Sequence, residues 1–298
     1  MHGNTTKQLN KRKVLHYIQN NEGHSRSDIA SALKISKPTV SNIVDELLEE
    51  GWIREKESEK ASSSGGRKPF QISFNENAPY IVGTDIGGTS VEIAILNLSG
   101  DVLGKTNLDT QANVDNDLIK QIADRVHHLL DESEFEMKQV MGVGIGVPGI
   151  TDVENGIVLD APTVNWRDVP LKAEMEKLLN CPVYVDNDVN VAALGEWWKG
   201  AGKTDDNFLM ITLGSGVGCG LIINGDLYRG ATYAAGEIGY MVTDKNVAEK
   251  EYDQTFPGYG FLDSHVGGPS ITKRMLRHLG EAEQKSEDWS AEKIFEMA

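Results

Sequence analysis

The sequence predicts a two-part α/β chain: a short helical front, and a longer body of strands and helices. Three observations predict it. Residues 1–75 carry 12 Lys and Arg against 9 Asp and Glu, a net of +3, while the remainder carries 17 against 36, a net of −19. The front places its apolar residues at helical spacing. The body repeats one unit at two places: a strand, a glycine turn and a second strand. A chain of 298 residues has room for about two domains and a substantial core.

Composition narrows the class. A hydrophobic share of 39% with 25% charged residues fits a soluble globular chain. No run of about 18 apolar residues is present, which excludes a membrane helix and argues against a membrane partner. The opening "MHGNTTKQLNKRK" has no apolar signal region. Two cysteines, Cys181 and Cys219, make no disulfide framework, so a reducing cytoplasm is expected. The acidic body repels a polyanion, so a nucleic-acid partner would have to meet the front.

In the front, Leu9, Val14, Leu15 and Ile18 predict a first amphipathic helix. "SRSD", Ser25 to Asp28, has the form of a capping box that opens a second helix over Ile29, Ala30 and Leu33. After "KIS", a third helix puts Val40, Ile43, Val44, Leu47 and Leu48 on one face, with Ser36 as N-cap and Gly51 as stop. Two short helices joined by a tight turn make a helix-turn-helix. Lys37, Thr39, Ser41 and Asn42 lie off the apolar face near the start of the third helix, where such a helix meets base edges and phosphates. "WIREKESEKASSSGGRKPFQISF" then reads as strand, loop, strand, a wing whose tip carries Arg67 and Lys68. A Gly-Ser tip with two cations can follow a phosphate backbone or enter a minor groove. The alternative is a helical oligomerisation module with a solvated charged loop. Helices, turn and basic wing together favour DNA binding within residues 1–75.

The body begins after "NENAP" and spans residues 78–298. Its first unit is strand, "DIGGT", strand, "NLSGD", strand, from Tyr80 to Val102. The second, Phe208 to Leu227, is "FLMITL", "GSGVG", "CGLII", "NGD", "LY". Two such hairpins suggest two related lobes around a cleft. Each turn could offer backbone N–H groups to a phosphate, although hairpins also use glycine simply for its positive φ. No Walker A run and no strand–GxGxxG–helix unit occurs. Between the units lie a helix from Asn116 to Glu132 and the strand-loop "VMGVGIGVPGI". In "VYVDNDVNVAALGEWW" a strand ends in Asp186, Asn187 and Asp188, and a helix is expected from Val189. An Asp at a strand's C-terminal end faces the ligand crevice of α/β sheets. The helix N-terminus favours its ionised form, and it could accept the proton of a sugar hydroxyl attacking a phosphoryl group. The plainer reading makes Asp188 an N-cap. Asp186, one step back in the strand, reads as structural.

"DIGGT", "GIGVPG", "VDNDVNVAALGE", "LGSGVGCGLIINGDLYRG" and "AAGEIG", in this order, resemble the ROK family of repressors, open reading frames and sugar kinases. The front, with its "SGGRKP" join, resembles the winged-helix repressors of that family, of the xylose type. The resemblance implies a winged helix-turn-helix followed by a two-lobed, actin-like, hexokinase-type domain, lobe 1 about 78–200 and lobe 2 about 205–298. It implies that Asp85, Gly87, Gly88 and Thr89, with Gly214, Ser215 and Gly216, hold ATP phosphates. Asn187 and Asp188 would bind the sugar, Asp188 also serving as catalytic base, and Glu237 would bind sugar hydroxyls. Thr163 or Asn165, in "APTVNW", falls where the family contacts the sugar, and Asp263 where it places a second carboxylate. Tyr240 stands where zinc-bearing members have a His and could still hydrogen-bond the sugar, and "QTFPGYGFLDSH" replaces their Cys-rich knuckle, so zinc is not expected. Cys219 replaces a glycine and reads as small core filler. ROK lobes continue past "SAEKIFEMA", so the second lobe reads as truncated.

These readings weigh toward a sugar-responsive transcriptional repressor of carbohydrate-metabolism genes. It would bind operator DNA as a homodimer without a cofactor, and a sugar in the cleft would change the placement of the front modules. The alternative is an ATP-dependent hexose or N-acetylhexosamine kinase using ATP and Mg. A third reading is a bifunctional protein that phosphorylates its own inducer.

Overall fold

The computed structural model describes residues 2–21, 23–57, 70–75, 80–110, 117–251, 260–279 and 289–297. The chain divides into two compact units. One is Met1–Val82 with Ala94–Gly104 and Leu130–Met141; the other is Gly83–Ile93 with Lys105–Leu129 and Gly142–Ala298.

The front folds from helices α1 (His2–Asn20), α2 (Arg26–Leu33) and α3 (Lys37–Glu49) and strands β1 (Ile53–Glu57) and β2 (Phe70–Phe74). Its caps are those the sequence predicts. The Ser25 hydroxyl accepts from the Asp28 amide while the Asp28 carboxylate accepts from Ser25, closing a capping box at α2. Ser36 caps α3 through the Thr39 amide. Between the helices Lys34 takes a left-handed φ of 55°, which turns the chain within three residues. Val14, Ile18, Ile29, Ala30, Val40, Ile43, Val44, Leu47, Ile53 and Ile72 form one buried cluster. Burying side chains of this size contributes about 1.5–3 kcal/mol each. β1 and β2 pair antiparallel from Ile53↔Phe74 to Glu57↔Phe70. The wing tip with Arg67 and Lys68 lies outside the described residues.

The body carries a five-stranded sheet ordered β10-β6-β3-β4-β5, where β3 is Tyr80–Ile86, β4 Ser90–Leu96, β5 Val102–Asp109, β6 Val140–Val147 and β10 Val183–Asn187. β10 runs parallel to β6. Helix α4 (Leu118–Glu132) buries Leu118, Ile122, Val126 and Leu129, the apolar stripe read from the sequence. The structure adds β7 (Ile150–Asp152), β8 (Ile157–Ala161), β9 (Trp166–Val169) and α5 (Leu171–Leu179), elements the sequence reading did not anticipate. Helix α6 (Asp188–Lys199) follows β10 directly.

The second glycine unit is an antiparallel sheet ordered β11-β12-β13, with β11 Phe208–Leu213, β12 Val217–Ile223 and β13 Asp226–Leu227. One of its faces packs on α6 so closely that a Cβ at Gly220 would collide with Ala193, and one at Gly218 with Val189. Leu209, Ile211 and Leu213 on β11 are 63%, 56% and 71% exposed. Helices α7 (Lys245–Glu251), α8 (Asp263–Val266) and α9 (Gly268–His278) and a last helix, Ala291–Met297, follow. No described helix is long and apolar enough to cross a membrane.

Candidate functional site

The two glycine turns, far apart in sequence, line one cavity of about 530 Å³. Gly87 and Gly88 come from the β3–β4 turn, Gly214, Ser215 and Gly216 from the β11–β12 turn. Asp85, Thr163, Asn187, Asp188, Glu237, Tyr240 and Asp263 complete the set of sequence-predicted residues that meet there. The size falls within the usual range of small-molecule sites, about 300–1,000 Å³. Two expected residues do not line it: Thr89, an exposed turn residue, and Asn165, which is exposed with a left-handed φ of 54°. Thr84 and Thr212, which the motifs did not single out, do line it.

Backbone geometry explains the convergence. Asp85 lies at the end of β3 and Asn187 ends β10, with β6 between them in the sheet. Gly146 of β6 makes the approach possible. A Cβ there would sit 3.3 Å from the Asp188 Cα and 3.4 Å from the Asp85 carboxylate. Helix α6 begins one residue earlier than the sequence suggests, and its N-cap is Asn187, whose side chain accepts from the Asn190 amide at 3.0 Å. Asn187 also donates from Nδ2 to the Gly149 carbonyl. Asp188 is therefore not the cap. Its carboxylate accepts from the adjacent Val189 amide at 2.8 Å, with Asn187 also hydrogen-bonded to it, and faces the cavity.

Three of the carboxyl groups are held above the ordinary carboxylate range. Burial is the main cause for Asp188, with the Asp85 charge adding to it and the Val189 amide opposing. Burial also leads for Glu237, reinforced by Asp188 and Asp263, and for Asp85, reinforced by Glu92. The helix start was expected to keep Asp188 ionised; desolvation outweighs it. Asp263 is buried, and both oxygens accept backbone amides, Val217 at 2.7 Å and Gly260 at 2.8 Å. It ties the start of β12 to the segment before α8. Thr84 and Thr163 each bury a hydroxyl with no partner among the described residues. Leaving such a group unpaired costs about 1–3 kcal/mol, and native proteins keep few of them.

One amide of each glycine turn is used within its own hairpin. The Gly87 amide donates to the Ser90 carbonyl at 2.8 Å, and the Gly214 amide to Gly216 at 3.0 Å. Thr110, buried, pins the first turn by donating its hydroxyl to the Gly87 carbonyl and its amide to that of Thr89. Among the described residues no group of three or more His, Cys, Asp or Glu is placed to hold a metal ion. Half of the stretch that replaces the family's knuckle, residues 254–259, lies outside the described residues.

In the front, Lys37 and Asn42 are exposed at the start of α3, and Thr39 and Ser41 are half-buried. Thr39 shares a hydrogen bond with Ser36. The Ser41 hydroxyl accepts from Arg26, whose guanidinium also binds Asp45 at 2.6 Å and Glu55 at 2.8 Å.

The succession of a capped helix-turn-helix and a duplicated glycine-turn cavity matches known families in the same order. Residues 11–62 match the MarR family, and residues 81–298, most of the chain, match the ROK family. The chain belongs to the ROK family. The xylose repressor of Caldicellulosiruptor bescii is 38% identical over 242 residues, 80% of this chain and 60% of that protein. The glucokinase of Halalkalibacterium halodurans is 40% identical over 163 residues, 54% of this chain and 49% of that protein. A crystal structure of a ROK family transcriptional regulator, a homologue of the E. coli MLC protein, superposes with a TM-score of 0.75 at 23% identity, covering 96% of this chain and 72% of that one. That likeness shows the fold: a winged helix-turn-helix joined to a ROK sugar-kinase-like domain. The ROK chain described here spans about 60% of the length of the curated repressors it matches.

Proposed function

We propose that this ROK protein is a sugar-responsive transcriptional repressor of carbohydrate-metabolism genes. Its winged helix binds operator DNA, and the cavity between the glycine turns binds the sugar that weakens that binding. One observation carries the reading. A single chain joins a capped helix-turn-helix, with Lys37 and Asn42 exposed, to a cavity where Asn187, Asp188 and Glu237 converge. Convergent carboxylates and an amide suit vicinal hydroxyls, and such groups left unpaired by a wrong ligand give selectivity. The relatives named xylose repressor support a pentose effector. Operator binding as a homodimer in the cytoplasm, with neither zinc nor another cofactor needed for it, belongs to the same proposal.

The test is capture of genomic DNA fragments on the immobilised chain, followed by elution with D-xylose, D-glucose and N-acetylglucosamine in turn. Enrichment of defined fragments that one sugar releases is the expected result. Uniform capture unaffected by any sugar overturns the reading.

A kinase reading is favoured by one feature. Asp188 sits in the cavity with both glycine turns, where a carboxylate could act as a general base, and burial raises its carboxyl above the ordinary range. The glucokinase relative points the same way. ATP with Mg would supply the transferable phosphoryl group; this chain's part would be to orient the sugar hydroxyl and take its proton at the Asp188 carboxylate. Against it, the Gly87 and Gly214 amides are spent within their own hairpins. Sugar-dependent ADP release that disappears in Asp188→Asn would establish the kinase, alone or alongside repression. A weakened sugar response with unchanged sugar-free operator affinity in the same variant would establish the sensor.

A further inference from the structure

Glu237 reaches the cavity at the end of a segment that leaves β13, crosses to the larger sheet's side of the site and returns. Tyr228 is still tied to the small sheet, its amide donating to the Leu221 carbonyl at 2.8 Å. Arg229 then turns away. Its Nε and Nη2 donate to one oxygen of Asp186, on β10, at 2.9 and 2.6 Å. Four residues on, Tyr233 adopts a left-handed φ of 60° and its hydroxyl bonds to Asp152 at the end of β7. A bulky residue in that region is held there by its surroundings. The segment returns at Gly236, whose carbonyl accepts from the Cys219 amide of β12 at 3.0 Å. Gly236 has φ +91°, and a Cβ there would collide with the Cys219 carbonyl. The next residue is Glu237.

Asp186 is the hub on the other side. Its second oxygen accepts from the Asn187 amide at 2.8 Å and from the Asn190 side chain at 3.2 Å. Asn190 in turn donates its amide to the Asn187 side chain, the N-cap of α6. One carboxylate thus holds the Asn187–Asp188 turn with one oxygen and the strap bearing Glu237 with the other. Neither Asp186 nor Arg229 lines the cavity. The pair is largely withdrawn from water, with side-chain exposures of 13% and 31%. Two donors from one guanidinium fix direction as well as distance.

We propose that Arg229 is a positioning residue of the sugar site: through Asp186 it sets the Asn187–Asp188 turn and the Glu237 strap in a common register. The inference rests on the cavity being the sugar site. It makes sugar affinity depend on a side chain that never touches the sugar.

The test uses the 298-residue chain with Arg229→Gln, Arg229→Lys, Glu237→Gln and the double variant Arg229→Gln/Glu237→Gln. Three quantities are read: calorimetric affinity for D-xylose and D-glucose, thermal unfolding without sugar, and amide hydrogen exchange without sugar. Arg229→Gln is expected to weaken sugar binding by about tenfold or more, the scale of a lost charge-assisted hydrogen bond. Arg229→Lys, which keeps one charged donor, should recover most of it. Because Arg229 acts in part through Glu237, the double variant should lose clearly less affinity than the sum of the two single losses. A role in stability alone would lower the unfolding temperature and leave affinity at the parental value; that result, or strictly additive losses, overturns the proposal. If the parent chain binds neither sugar, the sugar reading of the cavity falls. Exchange then decides the anchoring: acceleration over residues 235–240 in Arg229→Gln with β3 unchanged upholds it, and parental exchange there refutes it.

Discussion

At the scale of single residues, the cavity is a place where the fold tolerates charge it would rather not hold. Asp188 and Glu237 both have carboxyl groups raised by burial. A raised folded-state value means that the ionised form is disfavoured on folding. At neutral pH these groups therefore cost stability, and that cost is relieved as pH falls through their folded values. Asp188→Asn and Glu237→Gln should each raise the unfolding temperature at neutral pH, by about 3 °C for each kcal/mol relieved. The gain should shrink toward zero as pH is lowered through the carboxylate range. Scanning calorimetry from neutral to acid pH checks this, and a gain that grew on acidification would contradict it. Most of the residues that line the cavity were legible in the sequence, because "DIGGT", "VDND" and "GEIG" are short and local. The upward shift of the Asp188 carboxyl was not, because a helix N-terminus is visible in a sequence and desolvation by a cavity is not. The unpaired hydroxyls of Thr84 and Thr163 are hidden for the same reason.

At the scale of elements, local signals carried well. Capping residues placed α2 and α3, and both glycine hairpins appeared where the alternation of strand and turn put them. The start of α6 was off by one residue, since Asn187 and Asp188 can both cap and only tertiary placement selects between them. β7, β8 and β9 are three to five residues long and lack strong alternation, so they leave little periodic trace. Two predictions belong here. Gly236→Ala should destabilise the chain by about 2 kcal/mol or more, because it meets both a positive φ and the Cys219 carbonyl; chemical denaturation measures it, and parental stability would refute the geometry. On α3, Lys37→Ala should weaken binding to all DNA sequences and lower the salt slope by about 1, whereas Asn42→Ala should relax discrimination at one base position, at about 1–3 kcal/mol. Fluorescence anisotropy at several salt concentrations separates the two, and equal effects of both variants on every sequence would remove Asn42 from base readout.

At the scale of the whole molecule, the charge is split between the front and the body. A net of +3 in the first 75 residues and −19 beyond them confines a polyanion to the front. What composition could not give is how β11 is covered. Its Leu209, Ile211 and Leu213 are exposed, an apolar row on one face of the strand. The central claim is that one chain reads DNA with its front and a sugar with its cavity, the second weakening the first. The measurement that tests it most directly is fluorescence anisotropy of the parent chain and Asp188→Asn on a DNA fragment enriched from genomic DNA, with and without D-xylose or D-glucose. The account predicts equal sugar-free affinities, and a loss of affinity on adding the sugar in the parent that is absent or much reduced in Asp188→Asn. Tight DNA binding that no sugar alters in the parent, or an Asp188→Asn variant that responds to sugar like the parent, would contradict it.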